Sequence, residues 1–333
     1  MADRPKVAFI GTGGTIASIG ATSLDLQDYG ANGVMLQAGE LVARLPELAA
    51  MVELIPVQLR SVVSAHIAFP DWKDMVLLCD RLVADHPDLA GIVIGHGTST
   101  LEESAYMLGL TLKVAVPVVM VGAQRPPSAL SSDADLNLVN AVRAAASPAA
   151  RGMGVLVLLN DEIHAARDVT KTSTFRLQTF RTADFGVLGH ADGDALAFYR
   201  RPLRKTAPDT EFDIRTLDAL PRVDIAYAYA GADGTAVRAF TAAGARGIVS
   251  AGFAPGSPGP GDLAALQDAV AAGAVVVQST RAGSGRVVVR RRLRDAGILS
   301  ADNLLPQKAR LLLALALTRT DDPQEIARMF ATY

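Results

Sequence analysis

Hydroxyls and one amine are gathered in three short segments of this chain. The first, Ile10-Gly11-Thr12-Gly13-Gly14-Thr15-Ile16-Ala17, follows the apolar run Val7–Ile10. Its glycines, Gly14 among them, let the backbone take positive φ and approach a ligand closely. Dinucleotide binding is the first rival. A third glycine would then be due at position 16, where Ile16 stands, and no Walker lysine follows. The loop delivers hydroxyls instead, although a tight turn with satisfied threonines explains it equally well taken alone. The second segment is His96-Gly97-Thr98-Ser99-Thr100-Leu101-Glu102-Glu103. It lies where the apolar run Gly91–Gly95 gives way to the helical pattern Leu101–Leu110, a junction where open α/β sheets place ligand sites. Thr100 and Glu103 have capping-box spacing and are read as one; Thr98 and Ser99 are left unexplained. The third segment, Arg167-Asp168-Val169-Thr170-Lys171-Thr172, sets a lysine among threonines. In solvent it is only a charge. In a cleft, where burial depresses its pKa, it is a base or proton relay.

The elements that must hold these segments follow from the surrounding pattern. Short apolar runs at Val7–Ile10, Gly91–Gly95, Val116–Gly122 and Met153–Asn160 each lead into a turn and most then into a helical stretch. That alternation predicts a parallel sheet buried on both faces. Composition shifts after about residue 190, with a polar stretch carrying Arg200, Arg201, Arg204 and Lys205. A second α/β set follows from Val223–Tyr227, Gly247–Gly252 and Ala274–Gln278. The expected fold is therefore α/β, with a larger N-terminal, mainly parallel-sheet domain over 1–194, a linker over 195–213, and a smaller C-terminal α/β domain over 214–333. Pro306 opens one terminal helix. Asp322-Pro323-Gln324-Glu325 starts another, with an aspartate cap and proline at the first helical position.

Composition narrows the classes. Half the residues are hydrophobic and a fifth charged, a globular balance. A net charge of −2 points to no nucleic-acid or anionic-membrane partner. The lone Cys79 excludes an internal disulfide, favours a reducing, cytoplasmic setting, and sits in a helical pattern as a small hydrophobe. The charged stub before Val7 and the short apolar run after it resemble neither a signal-peptide core nor a membrane span.

Thr-Gly-Gly-Thr-Ile, His-Gly-Thr-x-Thr-x-Glu-Glu and Asp-Val-Thr-Lys-Thr, in this order, resemble the bacterial L-asparaginase/glutaminase family. The likeness extends through Val118–Pro126, Leu136–Val142 and Pro306–Arg310 and so covers nearly the whole chain. The resemblance implies Thr15 as the nucleophile that forms an acyl-enzyme. It implies Tyr29, on a loop from about Ser18 to Gly33, as the lid tyrosine bonded to that nucleophile. Thr98 and Lys171 become a second hydroxyl–amine pair that relays protons and activates water. The Thr98 N–H helps hold the oxyanion, and the Ala123 carbonyl holds the leaving nitrogen. Ser64, Ser99 and Gly14 complete the implied substrate contacts. No metal or organic cofactor is expected. The implied assembly is a homotetramer built of tight dimers, or a homodimer, with a small-molecule amide as partner.

Position 99 departs from the family pattern, which has an aspartate there that binds the substrate's α-ammonium. A glutamate supplied by the neighbouring subunit also meets that ammonium in the family. The matching stretch here, Arg286–Leu293, holds Arg290, Arg291 and Arg292 and no acid, and Pro255 replaces an assisting asparagine. Removing carboxylates that pair a buried ammonium costs on the order of 2–5 kcal/mol. The expected substrate then lacks a free α-ammonium or carries it elsewhere, unless Asp25 or Asp28 compensates and asparagine is still accepted. The arginines either approach a neighbour's pocket or line a solvated strand edge. Two other classes stand against this reading. A non-catalytic amide or carboxylate sensor would release no ammonia, and a nucleotide-dependent enzyme would melt higher with an adenine nucleotide.

Overall fold

Apolar runs without a polar face are stable only when covered on both sides. In the computed structural model, which describes residues 4–333, they form the centre of an eight-stranded sheet. Its parallel part comprises β1 (Lys6–Gly13), β2 (Glu53–Val62), β3 (Leu89–Gly95), β4 (Val118–Val121) and β5 (Val155–Leu159), ordered β2-β1-β3-β4-β5. Val7, Phe9, Ile10 and Ile92–Ile94 have no exposed surface, each large side chain contributing roughly 1.5–3 kcal/mol of burial. Helices Phe69–Asp85, Leu101–Thr111 and Ala134–Ala146 connect these strands. Cys79 lies buried on the first of them.

Beyond β5 the sheet turns antiparallel through β6 (Glu162–Ala165). The chain then makes a small ladder of β7 (Thr170–Lys171) and β8 (Phe180–Arg181), and returns as β9 (Gly189–Ala191) and β10 (Leu196–Phe198). The chain steps outward from β1 to β2, then crosses back to β3. Strand order reverses at that point, and sheets of this order carry their ligand crevice at the carboxyl ends of the two strands flanking it. Here those strands are β1 and β3.

The stretch 195–213, expected as a linker, belongs to the first of two units, which runs to Thr216 rather than 194. β10 pairs with β9, and the hydroxyls of Thr206 and Thr210 donate to the carbonyls of Gly109 and Leu110. Its polar side chains serve the end of a helix, which composition alone does not reveal.

The second unit, Leu217–Tyr333, has its own parallel sheet. Its strands β11 (Val223–Tyr227), β12 (Gly247–Gly252), β13 (Val275–Thr280) and β14 (Leu299–Ser300) lie side by side in chain order. Ile248, Val276, Val237 and Leu266 centre its core. Pro306 opens a helix as expected, and the Asp322 carboxylate accepts the Gln324 N–H at 2.9 Å with Pro323 at the first helical position. Arg290–Arg292 do not sit on a strand edge: they begin the short helix Arg291–Asp295 and are exposed. Among the described residues no helix is long and apolar enough to cross a membrane.

Candidate active site

β1 and β3 are matched in register, Gly11 beside Gly95, so the turns that leave them emerge side by side. Thr12 Oγ1 donates to the Gly95 carbonyl at 2.8 Å and ties the first turn to the second strand. Gly14 has φ +82°, and a Cβ there would lie 2.2 Å from Gly97 Cα. A Cβ on Gly97 would lie 2.8 Å from Ser64 Oγ and 3.1 Å from Gly14 Cα. The two backbones touch with no side chain between them. Thr15 and Thr98, each directly after one of these glycines, are therefore neighbours at the switch point.

Thr15 is partly exposed, and its Oγ1 shares a hydrogen with Tyr29 Oη at 2.9 Å. Tyr29 opens a short 3-10 turn in a loop that is tied at its neck. There the Ile19 N–H donates to Val34 O at 3.1 Å and the Leu36 N–H to Ala17 O at 2.8 Å. The loop is also docked on its flank: the Gly20 N–H meets Ser128 Oγ, and the Leu130 N–H meets the Ser23 carbonyl. The Asp25 carboxylate accepts the N–H groups of Ala21 and Asp28, so it braces the loop that carries Tyr29.

Lys171, at the end of β7, donates its Nζ to Thr98 Oγ1 at 2.8 Å. Burial of the amine lowers its pKa below 10.5, and the charge of Glu102 opposes that shift. Glu102, 7% exposed, also accepts the Lys171 backbone N–H at 3.3 Å. Ser64 is buried beneath the second turn, where its Oγ accepts the Ser99 N–H at 3.1 Å and its carbonyl accepts Thr100 Oγ1 at 2.7 Å. The capping box expected at Thr100 is thus not formed: the hydroxyl is spent on Ser64 and caps no helix N–H. The Ser99 side chain is exposed. Buried Ala123 follows β4 in a turn held by Asn137 Nδ2 on the Gly122 carbonyl and by Asp133, which accepts the N–H groups of Gln124 and Arg125. A Cβ on Gly122 would lie 2.9 Å from Thr98 Cγ2, so this third turn closes on the same threonine.

A fully buried relay lies under the second turn. Trp72 Nε1–H donates to Ser104 Oγ at 2.8 Å, Ser104 Oγ lies 3.0 Å from His96 Nε2, and His96 Nδ1 lies 2.7 Å from the Gly97 carbonyl. A carbonyl only accepts, so Nδ1 carries the hydrogen and Nε2 accepts from Ser104. The ring is neutral, its pKa pushed down by burial to about 4. Because N–H and C=O point oppositely in a trans peptide, fixing the Gly97 carbonyl also aims the Thr98 N–H.

Gly14, Thr15, Tyr29, Ser64, Thr98, Ser99, Ala123 and Lys171 are thus carried by adjoining turns of the first unit, whereas Arg290 and Pro255 belong to the second. Sequence reasoning passed over His96 and Glu102. Both stand inside a motif already singled out, and the usable signal was spacing: Glu102 is one helical turn past Thr98.

The description of an asparaginase N-terminal domain matches residues 6–204, and that of a glutaminase/asparaginase C-terminal domain matches residues 222–330. The chain belongs to the asparaginase family. It is 40% identical to an L-asparaginase 2 of Bacillus subtilis over 99% of this chain and 87% of that protein. It is 39% identical to a glutaminase-asparaginase of Pseudomonas fluorescens over 98% and 90%, respectively. The solved structure of a probable cytoplasmic L-asparaginase from Campylobacter jejuni superposes with a TM-score of 0.94 at 36% identity, covering 99% of this chain and all of that one. This asparaginase-family chain is an amidohydrolase.

Proposed function

We propose that the chain hydrolyses the terminal amide of a small carboxylic acid through an ester on Thr15. Thr15 Oγ bonds to the amide carbon while its proton passes toward Tyr29. The Thr98 N–H meets the developing oxyanion, and the Ala123 carbonyl orients the leaving nitrogen. The C–N bond breaks, the leaving nitrogen takes the proton that left Thr15, relayed through the Tyr29 hydroxyl, and ammonia departs. Neutral Lys171, acting through Thr98, then accepts a proton from water. The water oxygen bonds to the acyl carbon, the Thr15 ester bond breaks, and the proton returns to Thr15. The observation that carries this reading is a hydroxyl–phenol pair and a hydroxyl–amine pair whose threonines stand on touching turns, Thr15–Tyr29 at 2.9 Å and Thr98–Lys171 at 2.8 Å. Ammonia release from a panel of amides tests it, with Thr15→Ala as control. Undiminished release by that variant ends the proposal.

The preferred substrate lacks a free α-ammonium. Serine at 99 is neutral, and Asp25, one of the two acids that could compensate, is engaged with the backbone of its own loop. A dicarboxylic monoamide such as succinamate fits. Its kcat/KM should exceed that of asparagine, and a strong preference for asparagine overturns the point. The proposed assembly is a homotetramer of tight dimers, measurable by light scattering. The proposed compartment is the cytoplasm, in keeping with a single buried cysteine. Relatives differ in this respect, the Haemophilus influenzae one being named as periplasmic, and cell fractionation decides it.

A further inference from the structure

Lys171 is held at both ends by one stretch of chain. Its Nζ donates to Thr98 Oγ1 at 2.8 Å, and its backbone N–H donates to Glu102 Oε1 at 3.3 Å. Thr98 and Glu102 are four residues apart across the start of helix Leu101–Thr111. β7 is two residues long, and its one strand partner is β8, so little else in that ladder fixes where the amine points. A carboxylate that is nearly out of solvent, yet reaches across to a neighbouring strand, costs desolvation that a surface acid avoids.

We propose that Glu102 is a positioning residue for Lys171: it clamps β7 to the helix that carries Thr98 and keeps a negative charge beside the amine. The inference rests on reading Lys171 as the proton relay. The other charged groups around Lys171 are of a different kind. Arg181 stands on β8 opposite Thr170 and is exposed. Arg167 and Asp168, just upstream, are paired with each other at 3.0 Å. Glu103 lies beside Glu102 on the helix and is more exposed. Of these, Glu102 is the one whose charge acts on the amine. Serine at 99 brings no charge, so the negative charge beside the amine comes from the helix.

A positive amine beside a carboxylate holds its proton to higher pH. Lys171 must lose that proton to act as a base, so Glu102 sets the acid limb of the pH–rate profile. Replacing Glu102 by glutamine keeps shape and hydrogen bonding but removes the charge. The limb of kcat/KM should move to lower pH by about one unit, so that the variant regains activity relative to wild type as pH falls. Glu102→Asp draws the charge back by one methylene and should move the limb the same way by less. Circular dichroism checks folding first, and the aspartate variant alone carries the test if the glutamine variant does not fold. Lys171→Met is the control. If the limb vanishes in that variant but stays unmoved in the folded Glu102 variants, the role of Glu102 is refuted and the relay stands. A limb that persists in Lys171→Met removes the relay itself, and this inference with it.

Discussion

The two units build parallel sheets from the same materials, yet one gathers hydroxyls at a reversal of its strand order and the other spends its polar groups on its own strand ends. In the second unit the strands follow chain order, β11 to β14, and no reversal parts the turns at their carboxyl ends. The polar side chains there are used locally. Gln278 donates to the carbonyls of Ser250 and Ser279, and Ser279 Oγ donates to the Leu304 carbonyl. In the first unit the chain reverses between β2 and β3, and in the turns there two hydroxyls, those of Thr15 and Thr98, meet a phenol and an amine instead of backbone. Strand order, more than composition, decides which hydroxyls are left available for chemistry.

The widest gap between the units should appear on removing a hydroxyl from each. With Thr15 as the proposed nucleophile, Thr15→Ala is expected to lower ammonia release by more than about 10³-fold. Ser279→Ala, which deletes a buried hydrogen bond, should cost about 1 kcal/mol in a denaturant melt and leave kcat/KM within about twofold. Comparable losses of rate from both would dissolve the contrast.

Acid sensitivity should be similarly one-sided, because all five histidines lie in the first unit. His96 has a folded pKa of about 4 against an ordinary 6.5. The unfolded chain therefore takes up the proton first, and stability falls as pH drops through the window from about 6.5 to about 4. The loss approaches roughly 3 kcal/mol. Urea melts of wild type and His96→Gln at pH 7 and 4.5 measure it: the variant should be weaker at neutral pH and less sensitive to acid. Equal pH dependence in both removes His96 as the source.

Next in size is the spacing of the crevice. A methyl on Gly97 meets Ser64 and Gly14 closer than van der Waals contact, so Gly97→Ala should part the turns and cost about 10²-fold in kcat/KM, the scale of an ångström of misplacement. Gly283→Ala in the second unit meets nothing within 4 Å and should leave rate and stability unchanged. The smallest effect is expected at Asp322, whose replacement by alanine removes a helix cap for about 1 kcal/mol, seen as a lower Tm with no change in rate.

The sheet and the turns that carry the candidate site were legible because buried parallel strands carry a continuous apolar signal and glycine-rich turns interrupt it sharply. Thr15, Thr98 and Lys171 could be singled out by type and position. The short strands β6, β9 and β10 could not, being three or four residues long with His164 and His190 among them. Thr100 was misread because capping-box spacing is also met when the hydroxyl finds a carbonyl 36 residues away, a partner no local pattern contains. Glu102 was overlooked for a related reason: adjacent acids at a helix start already suit the helix dipole, and only the fold brings Lys171 to one of them. The second unit was expected from 214 and begins at Leu217, but the stretch 195–213 was read as a linker because its anchors, Thr206 and Thr210, bond to a helix about a hundred residues earlier.

Where Gly14 lies against Gly97, the separation of the two threonines that follow them has reached its floor. No lineage could draw them nearer by trimming a side chain, since none is left to trim. Variation at either position moves the pair in one direction only, apart, and a change at one cannot be undone by a change at the other. A library randomised at both sites and selected for turnover should return the same pair of residues it began with.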